Sequence, residues 1–130
     1  MNATVTIPNN FRNNSLTYTF EINMDSTLEA GDYVELNFAG NWTFFLPDSR
    51  FIEGVESSPS HKAKFESVYG WPIFSRVSIK NFSRISKESQ LAFYLSLKTP
   101  ILNSLYNLTI TAFKENGKVV EFYTRNILIN

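Results

Sequence analysis

Apolar and polar residues alternate with a period of two along much of this chain, the pattern of strands with one face in a core and the other in water. Over 16–24, Leu16, Tyr18, Phe20, Ile22 and Met24 share one face, and Thr17, Thr19, Glu21 and Asn23 take the other. Over 33–38, Val34, Leu36 and Phe38 oppose Tyr33, Glu35 and Asn37. Over 90–98, Leu91, Phe93, Leu95 and Leu97 oppose Ala92, Tyr94, Ser96 and Lys98. Weaker strands are predicted near 3–7, 42–46, 62–69 and 73–80, with Pro72 beginning the last because it cannot donate to a ladder. The polar segment Asp25 to Gly31 reads as a connection, and Ser83 to Gln90 offers the one candidate turn of helix.

A C-terminal hairpin can be argued to its register. Leu108, Ile110 and Ala112 form one apolar face, and Val120 with Phe122 another. A two-residue Asn116-Gly117 loop sets Phe113 opposite Val120 and brings Glu121 beside Ala112. A three-residue Glu115-Asn116-Gly117 loop sets Ala112 opposite Val120 and Ile110 opposite Phe122, uniting the apolar faces. Gly117 then supplies the left-handed third position. Since a slip of one residue exchanges the two faces, the three-residue loop is expected. About eight strands with frequent turns predict an all-β fold, an antiparallel, immunoglobulin-like β-sandwich forming one domain over 1–130.

Composition narrows the chemistry. The chain has 130 residues, no cysteine, one histidine, and 12 basic against 12 acidic side chains. That length suits a single domain, and 43% apolar residues can fill its core. Zero net charge removes the broad basic field that nonspecific nucleic-acid binding needs, so no nucleic-acid partner is expected. The absence of cysteine excludes disulfides, thiol nucleophiles and Cys-type zinc sites. His61 sits in the polar run Ser57-Ser58-Pro59-Ser60-His61-Lys62, without the oriented base and dry site that a Ser/His/acid set requires. No phosphate-cradling glycine loop is present. Asp25, Glu29 and Asp32 in one loop, and Asp48 and Glu53 in another, lack the dense spacing of a calcium site. Glu53 and Glu56 likewise make no glycosidase pair. No enzyme activity, metal or cofactor is expected.

Other signals point to surfaces. Five Asn-X-Ser/Thr sequons begin at Asn2, Asn13, Asn41, Asn81 and Asn107, against roughly two or three expected by chance from this composition. Met1 to Thr6 has neither the basic start nor the apolar core of a signal peptide, and no apolar run is long enough for a transmembrane helix. The sequons favour a mature or excised piece of a secreted protein over a cytosolic one. Two aromatic clusters hold both tryptophans: Trp42, Phe44 and Phe45, and Tyr69, Trp71 and Phe74. Such rings can stack on sugars, enter a lipid interface or anchor a subunit contact. They can equally plug the open ends of a sandwich. Residues 1–60 carry two basic and eight acidic side chains, and residues 61–130 ten and four. This split fits either pairing across neighbouring strands or complementary faces suited to head-to-tail association.

The run Asn14-Ser15-Leu16-Thr17-Tyr18-Thr19-Phe20-Glu21-Ile22, followed by Leu28-Glu29-Ala30-Gly31-Asp32-Tyr33-Val34-Glu35-Leu36-Asn37-Phe38, resembles the opening of repeated β-sandwich modules in very large surface proteins of ciliated protists. Gln90 to Leu97 with Thr99-Pro100, and Tyr106 to Phe113, are similar to later strands of those modules. Cysteines common in their middle segment are missing here. The resemblance implies an extracellular, non-enzymatic, structural or adhesive role and supplies no site residues. The sequence therefore predicts a surface subunit that self-associates into a homo-oligomer, polymer or filament through strand edges or charged faces. The N-terminal strand and the polar segment Pro8 to Asn14 could reach a neighbour, although pairing within the chain is the default. The alternative is a carbohydrate- or lipid-binding module using the loops around Trp42 and Trp71.

Overall fold

Each alternating stretch becomes a strand with its apolar side sealed. The computed structural model describes residues 1–70 and 74–130. Its strands are β1 (Asn2–Thr6), β2 (Ser15–Asn23), β3 (Leu28–Glu29), β4 (Tyr33–Ala39), β5 (Thr43–Phe44) and β6 (Arg50–Glu53). They continue with β7 (Lys64–Gly70), β8 (Phe74–Lys80), β9 (Arg84–Ile85), β10 (Leu91–Lys98), β11 (Ser104–Phe113) and β12 (Val119–Ile129). One sheet runs β1-β2-β10-β5, with β6 also on β10; the second runs β12-β11-β4-β8-β7; β3 and β9 form a small ribbon. All pairings are antiparallel. Among the described residues there is no α-helix, only a 3-10 turn at Leu46–Asp48, and no helix is long and apolar enough to cross a membrane.

The core lies where the inward faces meet. Tyr18, Phe20 and Ile22 of β2, Val34, Leu36 and Phe38 of β4, and Leu91, Phe93, Leu95 and Leu97 of β10 are all fully buried. Phe20 pairs with Phe93 across strands, their rings stacked at 4.9 Å. The three strongly alternating stretches thus form the centre of the fold. The additional strands β3, β6 and β9 are two to four residues long, too short to display a period. The turn of helix expected over 83–90 is absent. Ile85 is fully buried and pairs with Leu28, so the segment contributes a strand residue instead. Pro72 and Ile73, expected to open β8, lie outside the described residues.

The hairpin has the expected loop and a different register. Lys114 N–H donates to Lys118 O (2.9 Å), Gly117 N–H donates to Lys114 O (2.8 Å), and Gly117 is left-handed at φ 87°. Beyond the loop, Phe113 pairs with Val119 but Ala112 pairs with Glu121. One extra residue at Val119–Val120 makes a β-bulge. Ile110 consequently faces Tyr123, and Phe122 turns to solvent. The physical reason lies at the far end of β12. The bulged register buries Ile127 and Ile129, whereas the unbulged one would turn Thr124 and Asn126 inward. Glu121 does face inward, where its carboxylate accepts the Asp25 N–H at 3.0 Å and lies 3.2 Å from the Met1 amine.

The charge split is consumed in part by pairing across strands. Glu35 of β4 meets Arg76 of β8 at 2.6 Å, and Asp32 meets Lys114 at 3.2 Å. In both pairs an acid from the first half of the chain meets a base from the second.

Candidate functional site

The six aromatic candidates divide by environment. Trp42 is 0% exposed. Its ring packs 4.9 Å from Phe38, 6.0 Å from Tyr18 and 5.9 Å from Tyr106. Its indole N–H donates to Ala39 O at 2.9 Å, and its backbone N–H donates to the Ser75 hydroxyl at 2.9 Å. A side chain so enclosed cannot meet a sugar or lipid, so Trp42 closes the sandwich end, a correction to the exposed-ring expectation. Phe44 is also buried and lies 6.1 Å from Tyr69, which is exposed. The Tyr69 hydroxyl accepts the Phe44 N–H at 3.1 Å. Phe45 and Phe74 are half-buried, with the Arg76 guanidinium 4.7 Å above the Phe74 ring. Trp71 lies outside the described residues. The structure therefore brings together Phe44 and Tyr69 and separates them from Phe45.

His61 lies beside an open polar groove lined by Asp32, Tyr33, Lys64, Glu66 and Lys80. Its partner is Ser60, with Oγ 3.1 Å from Nδ1. Asp32 is already engaged: its carboxylate accepts the Glu29 N–H (2.9 Å) and the Glu115 N–H (3.2 Å) besides pairing with Lys114. Glu66 sits between Lys64 (2.9 Å) and Lys80 (3.4 Å). The hydrogen bond from Lys64 holds its carboxyl below the usual value, against an opposing burial effect and with a lesser hydrogen bond from Lys80. Burial pushes the Tyr18 hydroxyl upward, well out of the range where it could act as a base. Among the described residues, no group of three or more His, Asp or Glu side chains could hold a metal.

The prominent surface feature lies at β11 and β12. Leu105 pairs with Leu128 and Thr111 with Phe122, and Leu105, Phe122 and Leu128 all project outward as exposed side chains. Strand β12 is 11 residues long and ends its sheet. The C-terminal part of its free edge is covered: Asn130 N–H donates to Asn10 O, Arg12 N–H donates to Asn130 O, both at 2.8 Å, and the Asn10 carboxamide bonds Leu128 O. Because backbone groups alternate along a strand, the N–H and C=O of Phe122, Thr124 and Asn126 point to this same edge. No strand pairs there among the described residues. The five sequon asparagines are all exposed.

Sequence patterning missed the outward leucines and Phe122. One sign was available: the run Ile127-Leu128-Ile129 is apolar at every position, so one side of it must leave the core.

No known family profile matches the chain, and no curated protein matches it by sequence. Solved structures do. A cohesin module from a family 33 glycoside hydrolase of Clostridium perfringens superposes with a TM-score of 0.50 at 19% identity, over 99% of this chain and 96% of that one. The chain has a cohesin-like β-sandwich fold. The CaDoc0917–CaCohA2 complex contributes a chain at 0.46 and 13% identity, covering 92% of each. A non-cellulosomal cohesin from the archaeon Archaeoglobus fulgidus scores 0.40 at 12% identity, over 92% of this chain and 83% of that one. At such identities the cohesin-like likeness bears on architecture alone.

Proposed function

We propose that residues 1–130 form one non-enzymatic domain of an extracellular or cell-surface protein, working by association with copies of itself. The observation that carries this reading is the unpaired edge of β12, flanked on the outer face by Leu105, Phe122 and Leu128. A long strand edge is a template for another strand, and apolar side chains beside it give the added strand something to bury. β1 pairs with β2 of its own chain, and the Pro8–Asn14 segment is tied to Asn130 and Pro100. Edge addition, rather than N-terminal strand exchange, is therefore the proposed mode. The occurrence of the similar cohesin module in a family 33 glycoside hydrolase, and the resemblance to protist surface modules, both support a modular surface role. Of the sequons at Asn2, Asn13, Asn41, Asn81 and Asn107, those at Asn2 and Asn81 are the proposed glycosylation sites, since the other three border the strand edge or its end of the sandwich. Exposed Tyr69 with Phe74 is a proposed secondary partner contact.

Thr124→Pro tests the reading. Its N–H points to the open edge, so proline removes a donor for an added strand without removing a β11–β12 backbone bond. Thr124→Ala is the control for the hydroxyl bonds that Thr124 makes with Asn107 and Leu108 O. Sedimentation and negative-stain imaging should find concentration-dependent assemblies in the parent protein. The proline variant should be monomeric and melt with Thr124→Ala, which loses the same hydroxyl bonds and should assemble as the parent does. A parent chain that stays monomeric at high concentration, or assemblies indifferent to the substitution, would overturn it.

A further inference from the structure

Four segments converge at the end of the sandwich where β12 finishes: 7–14, 39–45, 98–104 and 126–130. They are fastened to one another. The buried Thr99 hydroxyl donates to Phe11 O at 2.6 Å and accepts the Asn14 N–H at 2.9 Å. Asn13 N–H donates to Pro100 O at 2.8 Å. The Tyr106 hydroxyl donates to Leu102 O at 2.8 Å, and the Tyr18 hydroxyl donates to the Asn10 carboxamide oxygen at 2.8 Å. Gly40, left-handed at φ 95°, lets the Tyr106 ring lie where a Cβ would stand 2.6 Å from it.

This fastened platform holds its largest apolar side chains out in water. Phe11 is 60% exposed, Ile101 67% and Leu102 72%. Ile101 and Leu102 also line a mainly apolar cleft with Gly40, Asn41, Pro100 and Tyr106. None of the chain's 12 carboxylates falls in the four segments, whereas Arg12 and Lys98 do.

We infer that this end docks on an anionic lipid bilayer, with Phe11, Ile101 and Leu102 entering the headgroup boundary and Arg12 and Lys98 meeting lipid phosphates or carboxylates. Apolar loop tips beside cations are the composition such an interface selects. Charge decides against a second copy seated end to end on this surface. That arrangement would oppose Arg12 and Lys98 to their own counterparts with no Asp or Glu side chain of these segments between them, while an anionic surface satisfies both. The proposal does not depend on self-association, which involves the middle of β12.

Co-sedimentation with mixed phosphatidylcholine–phosphatidylserine vesicles, and with pure phosphatidylcholine vesicles, tests it. Binding should favour the anionic vesicles. Ile101→Ser combined with Leu102→Ser should weaken it by at least about tenfold, from the loss of two buried aliphatic side chains. Arg12→Gln and Lys98→Gln should each weaken it by about fivefold. The Arg12, Ile101 and Leu102 variants should melt with the parent, because these side chains are exposed, Lys98→Gln keeps most of the half-buried Lys98 stem, and Thr124→Pro should bind vesicles normally. Equal binding by parent and double-serine variant would overturn the proposal. So would a dimer lost in that variant without vesicle binding, which would make the end a protein interface. Glycan mass at Asn13 or Asn41 in the native protein would overturn it too, since sugar there would cover the apolar tips.

Discussion

Trp42→Ala should be among the most destabilising single changes in this protein, although the sequence places Trp42 in a loop-like aromatic cluster. The indole is 0% exposed, packs on Phe38, Tyr18 and Tyr106, and bonds Ala39 O. Truncating a buried aromatic costs about 3–5 kcal/mol through lost transfer energy and the cavity left behind. Leaving the Ala39 carbonyl without its donor adds about 1 kcal/mol. Against a typical total of about 5–15 kcal/mol, the variant would stand near the edge of folding. A domain of this size loses about 3–5 °C per kcal/mol, so the melting temperature should fall by about 12–30 °C. Trp42→Phe keeps much of the ring packing and loses the N–H bond, and should cost about 1–3 kcal/mol. Urea unfolding followed by far-ultraviolet circular dichroism is the assay, because the substitution removes a fluorophore. A Trp42→Ala protein within about 0.5 kcal/mol of the parent, the range of surface changes, would refute the core assignment.

Three further outcomes follow from the geometry. Deleting Val120 removes the extra residue of the bulge, leaving Val119 opposite Phe113 and Glu121 opposite Ala112 as now. Unlike other single deletions in β12, it should preserve the fold at a cost below about 2 kcal/mol, and a melt as poor as that of a Thr124 deletion would refute the register. Gly40→Ala must hold a side chain at φ 95° against the Tyr106 ring and should cost about 2–3 kcal/mol by thermal unfolding; a neutral result would place Tyr106 elsewhere. The Glu66 carboxyl is held below its ordinary value of 4.5 by Lys64 and then Lys80, so the unfolded chain binds more protons there. Its stabilisation is present above that ordinary value and is lost as pH falls through the lowered one. Glu66→Gln should therefore flatten the acid limb of stability slightly at low salt, with the curves merging near ~1 M salt.

Legibility in the sequence followed the length of the strands. β2, β4 and β10 each place three or more alternating apolar residues on one face, and these form the centre of the core. β3, β6 and β9 contribute single pairs or short ladders, and their positions are set by partners distant in sequence, as Ile85 is by Leu28. Trp42 was misleading because its neighbours Asn41 and Thr43 are exposed. Its burial depends on Ser75, a residue 33 positions away whose hydroxyl receives its backbone N–H. The hairpin was legible as far as its loop. Turn chemistry fixed Gly117, but local apolar pairing of Val120 and Phe122 was outweighed by Ile127 and Ile129, which lie nearer the other end of the same strand. A register is a property of the whole strand, and a bulge allows its two ends to answer to different partners.

That bulge also links the fold to the proposed association. Without it, Phe122 and Leu128 would point into the sandwich and the outer face of β12 would be unremarkable. With it, both stand outside next to an edge with no strand partner among the described residues, and Asn107, opposite Asn126, lies beside Leu105 on the same face. The Asn107 carboxamide donates to the Thr124 hydroxyl at 2.9 Å, so a glycan there would break that bond and cover the strip an incoming strand must reach. Sugar at Asn13 or Asn41 conflicts in the same way with the lipid-facing end. Asn2 and Asn81, at the opposite end of the sandwich, conflict with neither surface. If both surfaces are used, occupancy should be confined to Asn2 and Asn81. The sequons at Asn13, Asn41 and Asn107 thus act as internal reporters, because a glycan on any of them removes one of the two proposed contact faces.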